Sequence, residues 1–143
     1  MMYIEEFRAA AAAEFNTAFS AAYPAVPIEW ENQPFEQPNG APYVSFVVGD
    51  AMGREAEIGT GTKVERWSGQ LRIIVHVPKD QGSKLGNEIA QVASRIFIRQ
   101  TLAGVNWHAR FTRGVRVNEV QAGEWCVRTL DIAYERDERN APM

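Results

Sequence analysis

The stretch Val64–Val77, VERWSGQLRIIVHV, carries the longest two-residue period in the chain. Trp67, Leu71, Ile73, Val75 and Val77 share one parity, and Arg66, Ser68, Gln70, Arg72 and His76 share the other. Successive side chains on a strand point to opposite faces, so this pattern predicts one long β-strand with a dry face and a wet face. Gly69 and Ile74 interrupt the alternation, one on each face. A glycine in mid-strand marks a bulge or a close backbone approach. A strand that is apolar on one side only belongs to an antiparallel sheet covered on one face. The remaining elements then read as strands that pair with it or helices that cover its dry side.

The chain has 143 residues, 45% of them hydrophobic and 23% charged, which is the composition of one ordinary globular domain spanning 1–143. A domain of that length buries about two-thirds of its unfolded surface, enough for a core without covalent staples. A net charge of −3 gives no electrostatic case for a protein that coats nucleic acid. The single cysteine, Cys126, rules out an intrachain disulfide framework. The N-terminal MMYIEEFRAAAAAEF holds Glu5, Glu6, Arg8 and Glu14 and reads as neither a signal peptide nor a membrane span, so no membrane partner is expected.

Working outward, Tyr3 to Ala22 reads as a helix with an apolar stripe of Ile4, Phe7, Ala11, Phe15, Phe19 and Ala22. Tyr23-Pro24 ends it. Val26–Glu31 reads as a short strand, with Pro27 favouring an edge or a first position. Asn32 to Pro42, with Pro34, Pro38 and Asn39-Gly40, is a loop. Tyr43–Val48 is a strand. Gly49 to Lys63 carries Gly49, Gly53, Gly59 and Gly61 among charges and reads as a mobile β-hairpin arm or a long loop, a length that is usually functional or disordered. After the long strand, Ser83 is placed to cap a second helix, Lys84 to Leu102, with Gly104 at its C-terminal end. Val105 to Glu119 and Trp125 to Arg136 read as two further strands, and 137–143 as a frayed tail. The predicted fold class is α+β: a mostly antiparallel sheet with two helices packed on one face and a long Gly-rich arm.

The chemistry of most enzymes finds no footing in this sequence. His76 and His108 lie in separate predicted strands without spaced metal-ligand partners. Cys126 has no fixed histidine nearby, which favours a structural thiol over a nucleophile. Gly59-Thr60-Gly61-Thr62-Lys63 is followed by Val64 and not by a helix, so it fails as a phosphate loop. No G-x-S-x-G and no H-E-x-x-H occurs. No catalytic residue, cofactor or metal is expected. Arg110, Arg113 and Arg116 cluster on one predicted strand. Glu119, Glu124 and Asp131 are available to offset them, which favours a salt-bridged surface or a subunit contact over a DNA track.

Taken together, Pro24–Phe35 (PAVPIEWENQPF), Pro42–Phe46 (PYVSF), Gly69–Pro78 (GQLRIIVHVP) and the closing Trp125–Arg128 and Leu130–Glu135 resemble the phage tail terminator-like proteins, the family grouped with the lambda gpU tail terminator. The resemblance covers nearly the whole chain. It implies a structural virion protein that forms a homohexameric ring, caps the tail tube, stops its polymerisation and provides a head-joining surface. The implied partners are copies of itself, the major tail tube protein and a head–tail connector, with DNA only passing through the ring. The implied location is the head-proximal end of the virion tail, after assembly in the host cytoplasm. A closed ring needs two different patches per subunit. The candidates are the arm residues Arg54, Glu55, Glu57 and Lys63, and the wet-face residues Arg66, Arg72 and His76. Two other readings stay open on the residues alone. One is a different head–tail connector or a tail-tube component. The other is a small-molecule-binding α+β domain or enzyme, which would need a deep pocket with convergent polar groups.

Overall fold

The computed structural model describes residues 3–57, 63–112 and 114–140, and side-chain statements exclude 50–52, 54–57, 63, 82 and 140. The N-terminal helix α1 spans Ile4–Ala22 and buries Phe7, Ala11, Phe15 and Phe19, a four-residue repeat that keeps one stripe against the sheet. Then come β1 (Ile28–Trp30), β2 (Tyr43–Glu57), β3 (Lys63–Pro78), a single 3₁₀ turn (Lys79–Gln81), α2 (Gly82–Arg95), β4 (Thr101–Ala103), β5 (Trp107–Phe111), β6 (Arg116–Ala122) and β7 (Trp125–Asn140).

The long amphipathic strand is the centre of the sheet. β3 lies between β2 and β7 in the order β1-β2-β3-β7-β5-β4, with β6 pairing β7 beside β5. β3 and β7 run antiparallel in unbroken register from Lys63↔Asn140 to Pro78↔Trp125. Leu71, Ile73, Val75 and Val77 are fully buried, as are Ile132 of β7 and Val44 of β2. Both helices cover this face, and their rings interleave with those of the strands. Phe15 of α1 stacks on Phe46 of β2 at 4.9 Å, and Phe97, just past α2, lies 5.0 Å from Phe111 of β5. Each fully buried phenylalanine contributes about 1.5–3 kcal/mol relative to exposure.

The α+β class holds, but the sheet is mixed. β1 pairs β2 in parallel, Ile28↔Val44 to Trp30↔Phe46, while the other strand pairings are antiparallel. A parallel pair needs a long connection, and the proline-rich segment between Trp30 and Tyr43 supplies one.

Several boundaries differ from the sequence expectation. Of the two readings for Gly49–Lys63, a β-hairpin arm or a long loop, Gly49–Glu57 agree with the hairpin and not with the loop: they continue β2 as strand paired to β3, with Gly53 opposite Trp67 and a register shift between Asp50 and Met52. A Cβ on Gly53 would sit 2.5 Å from the Trp67 ring, so the glycine there makes room for the indole. Residues 58–62 of the expected arm lie outside the described residues. α2 stops at Arg95 and Ser83 lies inside it, with Gln81 at the N-cap. Gly104 is not its cap but leaves space for Trp107, whose Nε1 would be 2.0 Å from a Cβ there. The strand expected from Val105 to Glu119 is two strands, β5 and β6, which pair with different halves of β7. β6 returns to β7 through Gly123-Glu124, where Gly123 has φ +61, the conformation a two-residue hairpin turn demands of its first central residue. Asp137–Asn140, expected in a frayed tail, are the end of β7.

Candidate functional site: the outer face of the sheet

The face of the sheet turned away from the helices is built by the odd residues of β7 and the even residues of β3 and β5. Register sets Arg66 opposite Asp137 and Arg110 opposite Glu135. Arg66 forms a two-pronged contact with Asp137, donating from Nε at 2.7 Å and from Nη2 at 3.1 Å. Arg110 bridges Glu135 at 3.0 Å and Asp137 at 3.3 Å. Two cations and two carboxylates therefore form one lattice across β3, β7 and β5. The Arg66 guanidinium, then that of Arg110, hold the Asp137 carboxyl below the usual carboxylate range against the opposing effect of burial. Further along, Arg72 grips Asp131, its register partner, at 2.7 and 3.2 Å. Forked arginine–carboxylate contacts of this kind fix geometry more than they add stability at an exposed site.

At the far end of the same face, His76 lies flat on Tyr43, its register partner, with ring centroids 4.1 Å apart. Trp125 stands edge-on to both rings. His76 Nε2 is 3.2 Å from Ser45 Oγ, and that hydroxyl donates to Glu29 at 2.7 Å. Burial lowers the His76 pKa, partly opposed by the Glu29 charge. The expectation of a solvent-facing strand histidine is thus corrected: His76 is half-buried in an aromatic stack because Tyr43 and Trp125 flank it.

The seven candidate residues do not form one cluster. Arg66 and Arg72 share the outer face but are six residues apart, about 20 Å along a strand, and each has its own carboxylate. Arg54, Glu55 and Glu57 lie at the end of β2 and Lys63 at the start of β3, which places them at the end of the hairpin away from His76. Their side chains are among those not described. Of the three clustered arginines, Arg110 is neutralised in the lattice, Arg116 is exposed on β6, and Arg113 lies outside the described residues.

The sequence reading missed charges on the opposite, buried face. Arg136 and Glu138 are fully buried and paired with each other beneath the start of α1. Glu138 Oε1 also accepts the backbone N–H of Tyr3, at 2.6 Å, where α1 has no side-chain cap of its own. A carboxylate at a helix N-terminus satisfies an orphan donor and complements the helix dipole. Arg128, 3% exposed, reaches Glu119 of β6 and the Ser83 carbonyl, and its guanidinium fills the space over Gly86. The signal that could have found them is parity: Arg128, Arg136 and Glu138 continue the buried series of Leu130, Ile132 and Tyr134.

Two open hollows flank these elements. One, of about 580 Å³, lies beside the charge lattice and includes Arg66, Trp107, His108 and Asp137. The other, of about 470 Å³, lies between α1 and the β1–β2 edge. Among the described residues no group of three His, Cys, Asp or Glu side chains is placed to hold a metal ion, and no helix is long and apolar enough to cross a membrane. The paired carboxylates and guanidiniums offer one another their hydrogen bonds, which suits a contact surface better than a reacting centre.

A phage tail terminator protein family model matches residues 6–127. No curated protein matches the sequence. Among solved structures, one whose name carries no functional description is covered over 100% of both chains, with a TM-score of 0.67 and 19% identity. Another, from the virion of a native gene transfer agent particle, is matched over 93% of this chain and 94% of its own, with a TM-score of 0.58 and 16% identity. At such identities these two likenesses speak for the fold alone.

Proposed function

Because the chain belongs to the phage tail terminator family, and is thereby a structural protein of the phage tail and virion rather than an enzyme, we propose that it forms a closed homohexameric ring on the head-proximal end of the finished tail tube. The ring stops further addition of tube protein and offers the surface on which a head–tail connector joins. DNA passes through the central hole. Assembly takes place in the host cytoplasm, and 1–143 acts as a single domain in this reading.

Family membership carries the proposal, and the outer face supports it. Arg66, Arg72 and Arg110 meet carboxylates of their own chain at 2.7–3.3 Å, so they present little uncompensated positive charge to a passing phosphate backbone. Contacts to a neighbour or to the tube fall, in this proposal, to the end of the β2–β3 hairpin (Arg54, Glu55, Glu57 and Lys63) and to the Arg66, Arg72 and His76 face. The test is a tube-growth assay with the tail tube protein of the same virus. Addition of this chain yields tubes that stop lengthening and carry a ring at one end. Continued growth, or incorporation of this chain along the tube wall, contradicts the proposal and favours a tube component.

A further inference from the structure

Resting on the ring reading, we infer that the free edge of β6 in one copy pairs with the free β1–β2 edge of a second copy and fills the groove beside α1 there.

Among the described residues, β6 is a terminal strand with β7 on one side only. All seven of its residues are exposed. Val117 and Val120, on opposite faces, are 57% and 51% exposed. The strand contains no proline or lysine, and among its residues only Arg116 and Glu119 are charged. Glu119 is turned to Arg128 and Cys126 of its own chain. A seven-residue edge with no proline or lysine, and with an apolar side chain on each face, is a template for another strand.

The opposite end of the same sheet is incomplete. β1 covers only Val44–Phe46 of the much longer β2. Beyond it the Glu31 carboxylate accepts the Val48 N–H, a side chain standing where a strand would. Beside this edge lies the 470 Å³ groove, walled by Ala9, Ala12 and Ala13 of α1 and floored by Phe46 and Val48. Arg8, on the groove rim, has an Nε closed off from water with no hydrogen-bond acceptor among the described residues. A strand laid along this edge would turn one face towards α1, where the alanines leave room for a side chain the size of Val117. Arg116 at the start of β6 would bring a second cation to Glu5, which already pairs with Arg8 at 3.2 Å and whose side chain is 80% exposed at the rim. The occupant is a second copy because projecting edge and open groove sit at opposite ends of one sheet in one chain. Such a contact is heterologous and repeats head-to-tail until it closes.

The test uses the full chain in a Cys126→Ser background. Ala9→Cys and Val117→Cys are introduced singly and together, and a short bismaleimide is the crosslinker. The double variant gives a crosslinked ladder ending at the ring number, and a mixture of the two single variants gives dimers only. Separately, Val117→Asp raises the concentration for half-assembly at least tenfold with the monomer's circular dichroism unchanged. Val105→Asp, at a residue 96% exposed before β5, leaves assembly as it was. Rings that form normally with Val117→Asp overturn the inference while leaving the ring reading intact. Dimers of the Val117→Cys variant alone overturn it too, as they indicate a two-fold β6–β6 contact. Crosslinking of β6 to tube protein instead of to a second copy does the same. Absence of both rings and crosslinks, with and without added tube ends, overturns the ring reading together with this inference.

Discussion

The two faces of β7 place the same chemistry in opposite surroundings. On the outer face, Asp131, Glu135 and Asp137 meet arginines of β3 and β5 in partly wetted pairs. On the inner face, one residue out of phase, Arg136 and Glu138 are fully buried, and Arg128 nearly so. Exposed pairs gain little, because water already solvates both partners and salt screens them. A buried pair has exchanged that solvation for a few fixed contacts, so removing one partner strands the other. The outer charges therefore add little to stability, whereas the inner ones hold the strand, the N-terminus of α1 and α2 together.

Removing an inner charge tests this contrast most severely. Glu138→Ala takes away one acceptor of Arg136 and the acceptor of the Tyr3 N–H. It is expected to cost about 3–5 kcal/mol, the range for breaking a buried pair. Urea unfolding of the variant reads this directly, and a loss below about 1 kcal/mol would mean that the inner pair behaves like a surface one.

Next in size is Gly86→Ala. In an open helix position alanine would gain about 1 kcal/mol over glycine. Here its Cβ would fall 1.8 Å from Arg128 Nη1, so the guanidinium must move. The expected net loss is about 1–3 kcal/mol, as for other overpacked sites. Combining it with Arg128→Ala removes the clash, so the double variant costs less than the sum of the two single changes when thermal unfolding is followed.

On the outer face, Asp137→Asn is expected to cost at most about 1 kcal/mol at neutral pH. Because the folded-state pKa of Asp137 lies below its unfolded value, its contribution is present above the ordinary carboxylate range and is lost as the pH falls through the lowered value. The variant and the parent should therefore converge in stability in strong acid. A gap that persists there would show that Asp137 acts through packing and not through charge.

The smallest effect belongs to His76. Burial lowers its folded pKa, so the unfolded chain takes up a proton first as the pH drops. Stability attributable to this residue is complete above about pH 6.5 and declines below it. Melting temperatures at pH 7.5 and 5.5 should differ less for His76→Gln than for the parent. An equal difference in both would remove His76 from the pH response.

Legibility in the sequence followed the cost of misplacing each residue. The β3 alternation and the α1 stripe were readable because a shift by one residue would expose Leu71, Ile73 or Phe15. The inner charges were not readable as core, since Arg136 and Glu138 look like solvent residues until their partners are known. The same blind spot ended β7 at Arg136 and assigned Asp137 to a tail. Phe111, Val115 and Val117 kept one parity across the break between β5 and β6, so two strands read as one and the exposed edge was hidden. The glycines of β2 left a loop open beside a hairpin arm, because the purpose of Gly53, to admit the Trp67 ring from the neighbouring strand, is not visible locally. Of the candidate surface, Arg66 and Arg72 were placed on the correct face, but their carboxylates, 59 to 71 residues away in sequence, were beyond the reach of local pattern.

The most direct test of the central claim, assembly into a closed ring, is the particle mass of the purified chain over a wide concentration range, read by native mass spectrometry alongside negative-stain electron microscopy. One discrete ring is expected to appear as concentration rises, or on added tube ends, and to grow no further. An open-ended series of masses with extended tubes, or a monomer at every concentration both with and without tube ends, would contradict it.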